Sequence, residues 1–175
     1  RRLYINHALK CVRGPTIDFG CGIGELLAKL PKGSIGIEIN RTTVRYCQKM
    51  GLDVRFYDPE VDGYTFDTLQ LRKGRYKTFV MNHVLEHLQE PQKVFPQILR
   101  SCYRLGIDQV VIILPGLKGF RHNKTHTTFI DETYLRQNDL LSRDGYSVSR
   151  KSYFPFPFAP AGNFFTHNEF TVIYN

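Results

Sequence analysis

Short apolar or β-branched runs alternate with longer stretches in which apolar residues return every three or four positions, and this holds through the first two-thirds of the 175-residue chain. Residues 16–19, 34–39, 54–57, 78–81 and 109–114 have the length and composition of strands, the last with a VVII centre that suits burial on both faces. Helical spacing occupies residues 3–12, 25–30, 41–50 and 91–105. Local signals bound most of these. Leu26, Leu27 and Leu30 form the apolar side of the second, which Pro31 and Gly33 stop, while Asn40 can cap the third and Gly51 can close it. In the fourth, Val94, Phe95, Ile98, Leu99, Cys102 and Leu105 share a face, and Pro96 predicts a kink or a late start because it removes a backbone hydrogen bond. Asp131 can cap a further helix reaching Leu141, closed near Gly145. Residues 146–153 and 168–174 read as two final strands joined by an aromatic loop, not a helix, which predicts antiparallel pairing at one edge.

The pattern predicts an α/β fold: a doubly wound, mostly parallel seven-stranded sheet with helices on both faces and an antiparallel C-terminal strand hairpin. Composition suits one domain over residues 1–175, since 42% hydrophobic and 23% charged residues can build a substantial core at this length. The longest continuous apolar stretch, residues 110–114, is far too short to cross a bilayer, so no membrane span is expected. Arg1-Arg2 opens the chain without a charged-then-apolar leader, and a start other than Met suggests a trimmed terminus. Cys11, Cys21, Cys47 and Cys102 form no C-x-x-C pair, so free thiols and a cytoplasmic location are expected.

A formal charge of +8 raises the question of an anionic partner. Its densest groups are Arg72, Lys73, Arg75 and Lys77, then Arg121, His122 and Lys124, and neither is interleaved with aromatics as a single-strand binding groove would be. A solvated basic face is expected, and nucleic acid is not the favoured partner.

The segment PTIDFGCGIGELL carries the most specific chemistry. A strand runs directly into Gly20, Gly22 and Gly24 and then into a helix, which lets a ligand approach bare backbone at the carboxyl end of the first strand. A nicotinamide dinucleotide would want G-x-G-x-x-G, but the third glycine comes one residue early, and Glu25 in the first helical turn would repel a pyrophosphate. A neutral or cationic ligand fits better. Glu38 ends the second strand, where a carboxylate can accept hydrogen bonds from both hydroxyls of a ribose, and Asp58 ends the third, where it could take the exocyclic amine of an adenine.

In this order the segment resembles the class I S-adenosylmethionine-dependent methyltransferases, in particular their small-molecule methyltransferase-domain members. Asp18 with Gly20, Gly22 and Gly24 matches that family's first motif, Glu38 its ribose acid and Asp58 its adenine-side acid. FVMNHVLEHL is similar to the fourth-strand motif, which in many small-molecule members ends in a V-L-E-H-like run. The likeness covers about residues 14–115 and departs at Lys77, where the family usually has an acid before this strand. It implies a Rossmann-like fold, S-adenosyl-L-methionine as cofactor with S-adenosyl-L-homocysteine as product, and a cofactor shell of Asp18, Gly20, Cys21, Gly22, Gly24, Glu38, Ile39, Asp58, Asn82 and His83. It also implies a small-molecule or carbohydrate-like acceptor. An RNA or other polyanion acceptor is the alternative, lowered by the lack after the fourth strand of the N-P-P-Y type segment of base-amine methyltransferases.

Methyl transfer from a sulfonium is an in-line displacement governed mainly by positioning. Where the nucleophile must lose a proton, histidine is the natural base near neutral pH. His83, ending the fourth strand, and His126, in the loop LKGFRHNKTHTTF, are the catalytic candidates, with His122 as a rival. His83, Glu86 and His87 also spell H-x-x-E-H, the spacing of an inverted zinc-peptidase helix. A zinc hydrolase is the least favoured reading, because Pro91 follows too soon for the long helix such a site occupies, and no metal ligand is assigned. Residues 153–165, with five phenylalanines and three prolines, are expected to fold over the acceptor as a lid or to form a homodimer contact.

Overall fold

The computed structural model describes residues 2–175. Its strands are β1 Thr16–Phe19, β2 Ile35–Glu38, β3 Val54–Phe56, β4 Thr78–Asn82, β5 Gln109–Pro115, β6 Ser142–Arg143, β7 Tyr146–Phe154 and β8 Glu169–Tyr174. They form one sheet in the order β3-β2-β1-β4-β5-β8-β7-β6. The first five pair parallel, and β8 inserts antiparallel between β5 and β7. The described sheet thus has eight strands against the seven expected. The extra one, β6, pairs with β7 across the two-residue turn Asp144-Gly145. Both turn residues have positive φ, 51° and 88°, the backbone a tight hairpin requires and the reason Asp-Gly serves there. Gly145 therefore closes a hairpin and not a helix.

The helices are α1 Arg2–Cys11, α2 Arg41–Lys49, α3 Pro59–Asp62, α4 Pro91–Arg104, α5 Leu117–His122 and α6 Glu132–Gln137. Asn40 caps α2 as its sequence suggested, its side-chain oxygen accepting from Thr42 N and Thr43 N. Asp131 caps α6 through Tyr134 N, but the helix stops at Gln137, short of Leu141. Pro91 occupies the first position of α4, which runs on through the buried Pro96 without a late start. Two departures touch the ligand-binding end of the sheet. The helix expected over residues 25–30 is a single 3-10 turn, Leu27–Lys29, as befits a pattern too short to outweigh helix nucleation. Conversely, LKGFRH, expected as loop, is α5.

Alternation along the strands assigns the two faces. Val80, Val111, Ile113 and Ile173 meet Ala8 and Cys11 of α1 on one side, and α2 continues this layer through Val44 and Cys47. Phe79, Met81, Val110, Ile112 and Leu114 point the other way, onto Phe95, Ile98, Leu99 and Cys102 of α4. Phe79 is fully buried and its ring contacts Phe19 and Phe66 at 5.5 and 5.4 Å. Phe79→Ala should cost about 3–5 kcal/mol of unfolding free energy, read as a lower urea midpoint, because this cluster cannot collapse around the void.

Candidate active site

From β1 the chain builds outward through β2 and β3, and β4 then returns to the opposite side of β1. The connections leaving β1 and β4 therefore diverge, and a crevice opens at their carboxyl ends. A cavity of about 490 Å³ lies there. Asp18, Gly20, Cys21 and Gly22 line it from β1 and the turn beyond, Asn82 and His83 from the end of β4, and Glu169 from the start of β8. Tyr4 and Ile5 of α1, with Thr166 and His167, close its sides.

Each glycine of the turn has a distinct steric reason. Gly20, at φ 72°, lies where a Cβ would come 2.6 Å from Val84, and Gly24, at φ 79°, where one would come 2.5 Å from Leu52. Gly22 also has positive φ, 52°, but a Cβ there would meet nothing within 4 Å, so its backbone faces open space. The turn is strapped to β2 by Gly20 N and Cys21 N donating to Ile37 O, and by Gly22 N donating to Glu38 Oε2 at 3.0 Å. The other Glu38 oxygen accepts from Asn40 N at 2.8 Å. Ile39 beside it is 56% exposed. Asp58 caps α3 through Glu60 N. Glu38, Ile39 and Asp58 lie past the cavity proper, at the ends of β2 and β3. Burial, with the neighbouring carboxylates of Asp18 and Glu38, holds the Cys21 thiol protonated.

Asp18 is the most perturbed acid. It is 3% exposed, one of its oxygens has no partner, and burial together with the charge of Glu38 outweighs a hydrogen bond from Leu27 and raises its pKa to about 7. His83 has a left-handed backbone, φ 57°, and its N–H donates to Ile113 O. Such strain in a residue other than glycine persists only where the surroundings impose it. Its Nε2 lies 2.8 Å from Glu169 Oε1 and its Nδ1 3.3 Å from Glu86 Oε1. Burial lowers the His83 pKa, but the contacts with Glu169 and Glu86 prevail and raise it to about 9. A raised pKa favours the doubly protonated ring, with Nε2 donating to Glu169.

His126 does not reach the cavity. Its Nδ1 sits 2.9 Å from Phe120 O, its ring stacks on Phe120, and its Nε2 lies 3.7 Å from the same Glu86 oxygen that His83 approaches. The two candidate bases thus converge on one buried carboxylate and not on one substrate pocket. His122 is exposed at the end of α5. Nor are His83 and His87 partners, as a zinc-peptidase helix would make them: residues 85–87 form a single 3-10 turn, and His87 packs edge to face on His126. Sequence reading missed Glu169, which arrives from the final strand with no local signal, and the role of Glu86 as a shared neighbour. The aromatic segment packs on itself through Phe156, Phe158 and Phe165, yet Phe158, Phe164 and Phe165 remain more than half exposed.

Residues 17–107, just over half of the chain, match a family model described as a methyltransferase domain. The chain belongs to this family, the class I S-adenosylmethionine-dependent methyltransferases. No curated protein sequence matches the methyltransferase. Among solved structures, it is similar to a SAM-dependent methyltransferase from Archaeoglobus fulgidus, with 17% identity, a TM-score of 0.67, and coverage of 99% of this chain and 90% of that one. The magnesium protoporphyrin IX methyltransferase of Synechocystis with bound SAM gives 15%, 0.61, 98% and 74%. The small RNA methyltransferase HEN1 gives 16%, 0.66 and 99%, but only 25% of its own chain is covered. The cofactor of this methyltransferase is S-adenosyl-L-methionine. No helix among the described residues is long and apolar enough to cross a membrane.

Two expectations follow for the folded, unliganded enzyme. Gly20→Ala and Gly24→Ala should each destabilise by about 2–4 kcal/mol, from backbone strain plus overlap with Val84 or Leu52, whereas Gly22→Ala should cost only about 1 kcal/mol; denaturant unfolding ranks the three. For Asp18, the folded state binds its proton more tightly than the unfolded chain. Stability should therefore fall as pH rises from about 4 through 7, by at most about 4 kcal/mol, and Asp18→Asn should flatten that slope in a pH series of melting curves.

Proposed function

We propose that the enzyme transfers a methyl group to a small-molecule or carbohydrate-like acceptor at the cavity between β1 and β4, and that residues 1–175 act as one domain. The acid lining of that cavity supports this reading most directly. Asp18, Glu25 and Glu169 all face it in a protein whose net charge is +8. A polyphosphate backbone would be repelled there, whereas a cationic sulfonium and a neutral or amine-bearing acceptor are attracted. The basic residues 72, 73, 75 and 77 are exposed to solvent and line no part of it.

The residues present fit the cofactor. The open space over Gly22 can admit a ligand against bare backbone, and the partnerless oxygen of the buried Asp18 suits a cationic amine. When bound, the cofactor supplies an electrophilic methyl on a positively charged sulfur. Glu38 would hold the ribose hydroxyls, since a carboxylate has about four acceptor sites and two backbone N–H groups use only some of them. Ile39 offers an exposed apolar surface for the adenine, with Asp58 on its amine side. Gly20, Cys21 and Gly24 shape the turn, and Asn82 and His83 form the floor. His83 and Glu169 together hold a proton at Nε2 beside the acceptor's position, so acceptor alignment is their first task, and His126 supports this floor from behind Glu86. Thr166 and His167 continue directly from the aromatic segment into the cavity wall, which favours a lid over a dimer contact for residues 153–165.

Calorimetry tests the reading. Both S-adenosylmethionine and S-adenosylhomocysteine should bind, and Glu38→Ala should weaken them about 100-fold, the equivalent of two charge-assisted hydrogen bonds of roughly 1.5 kcal/mol each. With labelled methyl donor, carbohydrate-like acceptors should take up label with little dependence on salt. Labelling of RNA that falls steeply with salt would instead assign a polyanion acceptor.

A further inference from the structure

Glu86 is 0% exposed, and neither of its carboxylate oxygens has a hydrogen-bond partner. An ionised carboxylate withdrawn from water without partners is strongly disfavoured, so what surrounds it is informative. His83 Nδ1 approaches Oε1 at 3.3 Å without hydrogen-bond alignment, and His126 Nε2 stands 3.7 Å from the same oxygen. The rings of His87 and His126 meet at 4.6 Å, and one ligand-capable atom from each of Glu86, His87 and His126 lies within 4.8 Å of the others.

Neighbouring groups fix the state of both rings. Carbonyl oxygens only accept, so Phe120 O, 2.9 Å from His126 Nδ1, keeps the proton on that nitrogen. Thr125 O lies 3.2 Å from His87 Nδ1, and the Thr125 hydroxyl, 3.1 Å away, already donates to Asn123 Oδ1, so His87 also carries its proton on Nδ1. In this tautomer the lone pair of each ring lies on Nε2. Anchoring the far N–H on a backbone carbonyl is how imidazole metal ligands are oriented and made more basic. The frame is fixed as well. Thr127 N and Thr128 N donate to Glu86 O at 2.8 and 3.3 Å, and the Thr127 hydroxyl donates to Glu86 O or Leu88 O. Metal–ligand bonds of about 2.0–2.2 Å set neighbouring ligands roughly 3–3.5 Å apart, so side chains now within 4.8 Å of one another must draw together to share an ion.

We propose that Glu86, His87 and His126 bind a divalent transition-metal cation, with zinc as the representative, which ties the segment after α5 to the end of β4. Two imidazoles and one carboxylate form a donor set that favours such metals over magnesium or calcium. The trio differs from the H-x-x-E-H pair, because His83 faces two carboxylates while His87 faces His126. None of the three lines the 490 Å³ cavity, so the inference stands apart from the identity of the methyl acceptor.

The test uses the full chain, stripped with a chelator and then given zinc alone or magnesium alone, with bound metal measured by equilibrium dialysis and stability by thermal unfolding. One equivalent of zinc and none of magnesium should bind, and zinc at about 100 times its Kd should raise Tm by roughly 5–10 °C. His87→Gln and His126→Gln should each weaken zinc at least about 100-fold. Glu86→Gln should abolish the zinc-dependent rise in Tm. His122→Gln and His83→Gln should keep zinc. Should His126→Gln fail to fold, the partly exposed His87 carries the same test. Well under one equivalent in the intact chain, zinc retained by the ligand variants, or zinc lost on His83→Gln but kept in His126→Gln would each overturn the proposal.

Discussion

Two carboxyl groups, those of Asp18 and Glu86, are held out of water with oxygens that accept no hydrogen bond from the protein. Such groups are costly in a folded chain, and they persist because the strands that carry them are fixed by the sheet. β1 pairs with β4 from Thr16 against Thr78 to Phe19 against Met81, so the turn after β1 and the crest after β4 must leave the sheet side by side. Asp18 faces one side of that junction, and Glu86 sits behind the other. Gly22 and the ring of His83 line the same cavity as Asp18, and that ring also approaches Glu86.

The same junction explains the strain at His83. Its backbone N–H is tied to β5 through Ile113 O, while its ring is drawn toward Glu169 on one side and Glu86 on the other. The strained backbone is thus the consequence of placing one side chain between a cavity acid and a buried acid.

Much of this was legible in the chain itself. The strands have a local cause in apolar runs, and α2 has one in the Asn40 cap, so β1 to β5, α2 and α4 stand close to where the pattern put them. The glycine turn was legible because positive φ and close packing leave almost no other residue type available at Gly20 and Gly24. Elements governed by tertiary context were not. Six residues of helical pattern after Gly24 collapsed to one 3-10 turn, Asp144-Gly145 made a hairpin that its neighbours did not announce, and α5 formed from a basic stretch with no capping side chain. Side-chain partnerships across the fold were the least readable. No spacing rule joins His83 to Glu169 or His126 to Glu86, since those contacts exist only after the strands and the segment beyond α5 have been assembled.

The order of the last strands also bears on how the chain reaches its working form. β8 follows β7 in sequence yet lies inside it in the sheet, against β5. As the polypeptide emerges from the ribosome, the parallel half can assemble early, but β5 keeps an open edge until the segment carrying Glu169 arrives. β7 and β6 can then join only by docking onto that late strand. The nascent chain thus acquires its glycine turn well before it acquires the acid facing His83, and slow synthesis of the final stretch would leave an unpaired apolar edge available for mispairing.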